Sequence, residues 1–182
     1  MSTAYNVAEI LFGSAKAYFT RGGVEKFLGH ISEDGIKLKI EPRWKDIFVD
    51  LYGDQPVQRI FRGNVCSVGF VARQFDDEQL LAAIPTAIQS AGPTIKEVSF
   101  GDVVGQHGTT AAVGGLLRLH PVEIADGTTT SDLRFYLCNQ IGQFECAIGT
   151  AEPRSVGYLF GALIDTSRSA GDLLGRWKTQ TT

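Results

Sequence analysis

Cysteine is scarce in this sequence: only three occur among its 182 residues, Cys66, Cys138 and Cys146. An odd number without a regular spacing argues against a disulfide framework. None of the three has the Cys-x-x-Cys spacing of a zinc site. Cys66 and Cys138 fall inside β-rich runs, so we expect them to behave as small buried hydrophobic residues. This usage is typical of a protein made in a reducing cytoplasm.

Long apolar runs and an excess of either charge are also missing. No run approaches the ~18 residues that a transmembrane helix needs. The first nine residues, MSTAYNVAE, have neither the basic start nor the apolar core of a secretory signal. The formal net charge is −3, which argues against tight nucleic-acid binding because that requires a basic patch to neutralise phosphates. A mildly acidic surface would let DNA pass without sticking, so we expect no membrane partner and no specific DNA site.

Motifs for catalysis, nucleotides and metals are absent as well. The glycine-rich stretches contain neither Gly-Lys-Ser/Thr nor Gly-x-Gly-x-x-Gly. The three histidines, His30, His107 and His120, have no zinc-ligand spacing, and we expect them on the surface or in loops. No Gly-x-Ser-x-Gly elbow occurs, and Asp76 and Asp77 are better explained as helix-capping residues than as an acid–base pair. The sequence therefore predicts no enzyme, no cofactor and no metal.

The pattern that is present is organised around residues 35–75. Ile36, Leu38 and Ile40 alternate with charged residues, so they are predicted to share one face of a strand. Residues 65–72 form a second β-rich run. An Asp-Gly pair at residues 34–35 predicts a tight hairpin turn just before the first of these strands.

Residues 41–63, between the two runs, are too long for a tight hairpin and too apolar for a solvated loop. One interpretation is a further core strand over about 46–52, with a turn at residues 53–54 and a return into the core. The other is an arm that leaves its own domain and docks on another subunit, since long connections and exposed apolar runs are usually functional. The residue pattern leaves both interpretations open.

The rest of the chain predicts many short strands and one helix. Acidic residues 76–78 are suited to the first turn of a helix, and the apolar residues that follow recur on one helical face. That face comprises Leu80, Leu81, Ile84, Ala87 and Ile88. Pro85 should kink or end this helix near Ala83. Further strands are predicted at 8–20, 24–30, 95–101, 111–120, 133–141, 144–148 and 156–164. We expect one domain over 1–182, a β-sandwich or barrel with one flanking α-helix, a long extended loop at 41–63 and a short flexible C-terminal tail.

The order of these segments resembles the phage major tail protein family, the subunits of tail tubes. The resemblance covers about residues 6–178. It is carried by the order and spacing of several segments: residues 49–57 (VDLYGDQPV), 117–121 (LRLHP), 133–136 (LRFY), 159–165 (LFGALID) and 173–176 (LLGR). No single segment is specific alone.

This resemblance implies a structural role in the virion tail, with synthesis in the host cytoplasm. In that family a β-sandwich with a flanking helix forms homohexameric rings, which stack into the channel used for DNA ejection. The partners it implies are further copies of the chain and other tail proteins, such as tape measure, tail terminator and distal tail proteins. DNA would pass through without specific binding. An alternative is the inner-tube protein of a contractile injection system.

The family's long loop packs against neighbouring subunits and adjacent rings, which implies a subunit-interface role for residues of the 41–63 segment. The expected interface residues are Trp44, Phe48, Tyr52, Gly53, Asp54, Pro56, Arg59 and Phe61. The competing interpretation is that the aromatic residues among them close one end of their own core. A different class of protein, a carbohydrate-binding β-sandwich module, would need exposed and coplanar aromatic rings over a sheet or groove.

Overall fold

The computed structural model is mainly β, in agreement with the alternating apolar pattern. It describes residues 14–52, 54–73, 79, 81, 82, 84, 87–91, 96–99, 113–129, 131–143, 146, 147 and 155–177. The strands in this part are β1 (Ala15–Arg21), β2 (Val24–Phe48), β3 (Pro56–Ala72), β4 (Ile88–Ala91), β5 (Lys96–Ser99), β6 (Gly115–Pro121), β7 (Leu133–Gln140), β8 (Cys146–Ala147), β9 (Ser155–Ala162) and β10 (Gly175–Trp177). A 3-10 turn, Asp50–Tyr52, lies between β2 and β3.

Strand β7 closes the main sheet into a barrel. The sheet runs in the order β10-β7-β6-β1-β2-β3-β9-β8, and β7 additionally pairs with β9. The strands β1, β2, β3, β9, β7 and β6 therefore form a closed ring in which every pairing is antiparallel. Along its outer edge β7 pairs first with β10 and then with β9. Closure removes the open edges that a flat sheet would expose. Strands β4 and β5 form a separate two-stranded sheet.

The barrel interior is filled by side chains that alternate along each strand. Residues 66–72 of β3 are alternately buried and partly exposed, as expected for a strand with one face on a core. Aromatic rings occupy the centre: the Phe19 and Phe160 ring centroids are 5.0 Å apart, and those of Phe70 and Tyr158 are 5.2 Å apart. The buried core comprises Ala15, Ala17, Phe19, Leu28, Ile31, Cys66, Val68, Phe70, Ala72, Ala82, Leu117, Leu119, Phe135, Cys138, Val156, Tyr158 and Phe160. Burial of Cys66 and Cys138, both free thiols, confirms their predicted packing role.

The hairpin predicted at the Asp-Gly pair is wrong. Strand β2 continues through residues 31–36, where the register moves from Ile31 opposite Ala72 to Ile36 opposite Phe70. The extra residues bulge out of the ladder, and Gly35 has a φ of 70° there. Asp-Gly favours a positive φ, which a bulge uses as well as a hairpin turn. The local signal was therefore correct about conformation and wrong about chain reversal.

The predicted helix is only partly described. Gln79, Leu81 and Ala82 have helical backbone, whereas Ile84 is in a bend. The Gln79 Nε2 donates to the Phe27 carbonyl at 3.1 Å, and a guanidinium nitrogen of Arg21 donates to the Leu81 carbonyl. This segment is therefore attached to the β1–β2 side of the barrel. That the whole segment is one flanking helix stays a prediction.

The assignment of Ile88 to the helical face is wrong, because Ile88 begins strand β4. Pro85 separates it in sequence from the helical residues, so the apolar periodicity does not extend the helix that far. Strand β8 follows β7 in the chain and pairs with β9. Residues 1–13, 102–110 (with His107) and 178–182 lie outside the described residues, and the single-domain assignment stays a prediction. None of the helices in the described part combines the length and apolar character needed to span a membrane.

Because the barrel interior is filled, we expect substitutions there to destabilise the protein far more than substitutions in the segment at 41–63. Replacing Phe160 by alanine should lower the free energy of unfolding by about 3–5 kcal/mol, because the ring packs against Phe19, Phe70 and Tyr158. Phe48→Ala is the matched control, since its side chain is exposed, and it should change the value by less than about 0.5 kcal/mol. Urea unfolding at low protein concentration measures both. Equal losses in the two variants would contradict the assigned core.

Candidate interaction site on the β2–β3 ribbon

Residues 41–65 form a two-stranded antiparallel ribbon that extends the barrel. In the described part, β1 pairs with β2 only as far as His30 and β9 pairs with β3 only from Ser67. Beyond these points β2 and β3 pair only with each other, up to Phe48 opposite Pro56. The segment predicted as a long extended loop is therefore a paired hairpin, because its two strands form a ladder with each other. No residue between 41 and 65 with a described side chain is buried, so this stretch is not a core strand, although the chain turns between β2 and β3 and returns to the barrel through β3.

A bulge interrupts the ladder near the middle of the ribbon. Pro42 lies opposite Asn64, the register shifts before Trp44, and Gly63 has a φ of 105°. A proline donates no backbone hydrogen bond and a positive φ favours glycine, so this proline–glycine combination is suited to an irregular ladder. Bulges also increase local twist. The bulge therefore separates the base of the ribbon, which adjoins the barrel, from its outer half.

The outer half carries an exposed aromatic and charged face. Trp44 and Phe61 lie opposite each other, with ring centroids 5.1 Å apart and ring planes tilted by 59°. Their exposed fractions are 57% and 50%. In the next pair along the same face, the Arg59 Nε donates to the Asp46 carboxylate at 2.9 Å. Tilted rings do not provide the coplanar platform that a carbohydrate-binding module would need.

The opposite face of the ribbon is mainly charged. On β2 this face carries the odd-numbered residues 37–45, all of them charged: Lys37, Lys39, Glu41, Arg43 and Lys45. The Lys39 ammonium lies 2.5 Å from the Glu41 carboxylate. This hydrogen bond, assisted by the Lys39 charge, lowers the pKa of Glu41. The ribbon is therefore amphipathic, with one aromatic-rich face and one solvated face.

The end of the ribbon, which we call the tip, comprises the described residues 49–52, 54 and 55. Just before it, the expected interface residue Phe48 ends β2 and is exposed. Asp54 is exposed, and Pro56 begins β3. Tyr52 is described by its backbone alone, in the 3-10 turn, and Gly53 lies outside the described residues. Sequence reasoning missed Leu51, which is 82% exposed. Its place beside the Tyr-Gly-Asp turn signal was the available clue.

A groove lies between the base of the ribbon and the segment that leads into β10. Its volume is about 540 Å³. Leu38 and Ile40, on the inner face of β2, line one side, and Ile164 and Leu174 line the other. Ile40 is 55% exposed. The alternation of Ile36, Leu38 and Ile40 is thus confirmed as a shared face, but this face leaves the core and becomes accessible. The charged residues of the lining are Arg62 and Arg176.

A second cluster, of buried polar groups, lies at the start of β7. The prediction of a surface or loop location is wrong for His120, which is fully buried on β6; His30 is exposed, as expected. The Nδ1 of His120 lies 2.6 Å from the Asp132 carboxylate, and the Nε2 of His120 lies 3.1 Å from the Ile124 carbonyl. A carbonyl can only accept, so Nε2 donates to Ile124. The lone histidine was placed outside because no partner for it can be recognised from sequence.

Arginines neutralise the acid of this cluster. A guanidinium nitrogen of Arg134 lies 3.3 Å from the Asp132 carboxylate, and one of Arg118 lies 3.5 Å from it. Arg118 also contacts Glu25 at 2.7 Å and stacks over the Tyr18 ring at 4.1 Å. These contacts join β1, β2, β6 and the start of β7. Because both His120 nitrogens already have protein partners, the arrangement indicates a structural role in holding these strands in register.

The described residues include no group of three or more His, Cys, Asp or Glu side chains placed to hold a metal ion. Burial raises the pKa of the Cys138 thiol to about 12, so this sulfur is protonated and unreactive at neutral pH. The expected absence of catalysis, cofactor and metal stays a prediction. Comparison with models of known protein families and with curated proteins found no significant match.

The two acidic partners of Arg118 provide a test of the structural role. Asp132→Ala should lower the free energy of unfolding by about 3–5 kcal/mol, because it leaves buried donors and charges without their acceptor. Glu25→Ala removes a half-exposed partner of the same arginine and should cost less than about 1 kcal/mol. Thermal and urea unfolding at pH 7 compare the two. A small loss for Asp132→Ala would show that the cluster contributes little to the fold.

Proposed function

We propose that the protein is a virion structural protein, the subunit of a phage tail tube, assembling as stacked hexameric rings that form the channel for DNA ejection. The observation that carries the proposal is the ribbon. It exposes Trp44, Phe48 and Phe61 and offers two strand edges that pair with no described residue. Such apolar surface and open edges promote aggregation of an isolated monomer, whereas in an assembly they form the contacts between copies.

The filled interior of the barrel supports an assembly of several chains. Phe19, Phe70, Tyr158 and Phe160 occupy the centre, so a single copy has no bore through which DNA could pass. A conduit for a duplex therefore needs strands from several copies arranged round a common axis. Ribbons joined edge to edge would supply such a wall and would bury the edges that are open in one chain. The net charge of −3 favours passage of DNA without specific binding.

The other tail proteins, such as tape measure, tail terminator and distal tail proteins, are the proposed partners in the virion, and no membrane or cofactor is needed. The same ribbon would serve an inner tube of a contractile injection system. Electron microscopy of native particles distinguishes the two, since it shows whether a DNA-filled head or a protein-delivery apparatus is attached.

Removing the outer ribbon tests the proposed assembly. Replacing residues 46–59 by Asn-Gly joins Lys45 to Ile60, its partner in the ladder, through a favoured hairpin turn. We expect a folded monomer, because all core residues lie outside the replaced segment, and no rings or tubes. Circular dichroism and negative-stain microscopy measure the two properties. Tubes formed by the shortened protein would show that the interface lies outside the outer ribbon. An unfolded product would show that the barrel needs the ribbon for its stability.

A single aromatic anchor gives a graded version of this test. Trp44→Ala should weaken association by about 2 kcal/mol, which raises the concentration for half-assembly roughly 30-fold. Val24→Ala is the control, because this side chain is equally exposed but lies at the turn between β1 and β2. Light scattering over a concentration series compares both with the unmodified protein. An unchanged assembly curve for Trp44→Ala would exclude this residue from the interface.

A further inference from the structure

The ribbon tip and the groove at the ribbon base have complementary chemistry. The only charged residues of the tip are Asp50 and Asp54, and the tip exposes Leu51 more than any other large apolar residue in the described part. The charged residues of the groove lining are Arg62 and Arg176. The rest of the lining is mainly apolar. The two surfaces thus pair an acidic rim around an apolar anchor with a basic rim around an apolar cavity.

We infer that the groove receives the ribbon tip of a second copy of this chain, with Leu51 entering the cavity between Ile40 and Ile164. Asp50 and Asp54 then face Arg62 and Arg176. This inference rests on the proposed assembly and names the contact that would join its copies. Arg176 also lies 3.4 Å from Asp172, so part of its charge is already compensated. Arg62 is exposed on the ribbon itself and keeps its charge available.

The groove is suited to a small anchor by its size and accessibility. Its volume of about 540 Å³ lies within the ~300–1,000 Å³ typical of binding pockets. Ile40 on the ribbon side and Ile164 on the opposite side are both exposed, so the cavity is uncovered in a single copy. Cys66 and Phe135 also line it and belong to the core, so its floor is part of the rigid barrel.

A tip-in-groove contact is heterologous, because each copy uses one surface to donate and another to receive. Such contacts repeat from copy to copy and close into a ring or continue as an open array. Acid–base rims would also set the orientation of the incoming tip and speed the encounter, in a way that salt weakens. Each copy therefore contacts two neighbours, one through its tip and the other through its groove.

Reciprocal charge reversal tests this contact. One protein carries Asp50→Lys and Asp54→Lys, and the other carries Arg62→Glu and Arg176→Glu. Either alone should need a concentration more than about tenfold higher to assemble, because its tip and its groove then have the same sign. An equimolar mixture should recover assembly, since each tip meets a groove of opposite charge. A single chain carrying all four substitutions should recover it as well.

The matched control carries Lys37→Glu and Lys45→Glu, which alter net charge as much as the groove reversal but lie on the charged face of β2, outside the tip and the groove lining. It should assemble like the unmodified protein. Thermal unfolding verifies that each variant is folded, and Arg62→Glu alone replaces the double variant if loss of the Arg176–Asp172 contact destabilises the barrel. Sedimentation and microscopy measure assembly.

The outcomes separate this contact from the general proposal. If the unmodified protein forms tubes and both reversed proteins also form them, the groove does not receive the tip, while the tube function stands. If the reversed proteins fail and their mixture also fails, the tip and the groove are not partners. If groove reversal alters only the stability of the monomer, the groove is filled by the chain itself, and the inference is wrong. An unmodified protein that stays monomeric at every concentration would overturn both proposals.

Discussion

The antiparallel pairing of β2 with β3 is the interaction on which the other features depend. It runs without a chain break from Ile31 opposite Ala72, inside the barrel, to Phe48 opposite Pro56, outside it. The ladder satisfies the backbone groups that face between the two strands, so the chain can leave the core without becoming an irregular loop. Gly35 and Gly63, both at positive φ, lie at two of the three register shifts of this long ladder. Without them the same strands would have to continue in one regular twist.

The burial of apolar side chains changes along β2 and β3, although the alternation of apolar residues along them continues. Val68 and Phe70 are buried because β9, β1 and β6 complete the wall around them. Leu38, Ile40 and Trp44 belong to the same row of alternating residues in β2, but the exposed fraction of each is 40% or more. An apolar side chain stabilises the folded state only when its surface is removed from water. The protein therefore keeps an incomplete hydrophobic surface beside a complete core, and this imbalance underlies the proposed assembly.

The buried polar cluster has a different role, because it favours one alignment of the strands that carry its members. His120 and Asp132 are both fully buried, and Arg118 connects them to Glu25 and Tyr18 on neighbouring strands. Burying these groups is favourable only if every partner is present. A register shift of one residue would turn His120 or Arg118 to the wrong face. The cluster and the aromatic centre thus favour one pairing of β6 and β7 among the alternatives.

The sequence alone determined the β class, most strand positions, the burial of Cys66 and Cys138, and the shared face of Ile36, Leu38 and Ile40, because these follow from side-chain periodicity and local propensity. It did not determine the barrel closure through β7 and β9, the bulge at Gly35, the burial of His120 or the ribbon form of residues 41–65. An Asp-Gly pair specifies a backbone conformation but not whether the chain reverses, and a lone histidine gives no sign of a carboxylate brought beside it by another strand. Strand pairing and burial depend on contacts between residues distant in sequence. Only the tertiary structure therefore decided which apolar faces are covered and which remain accessible to a partner.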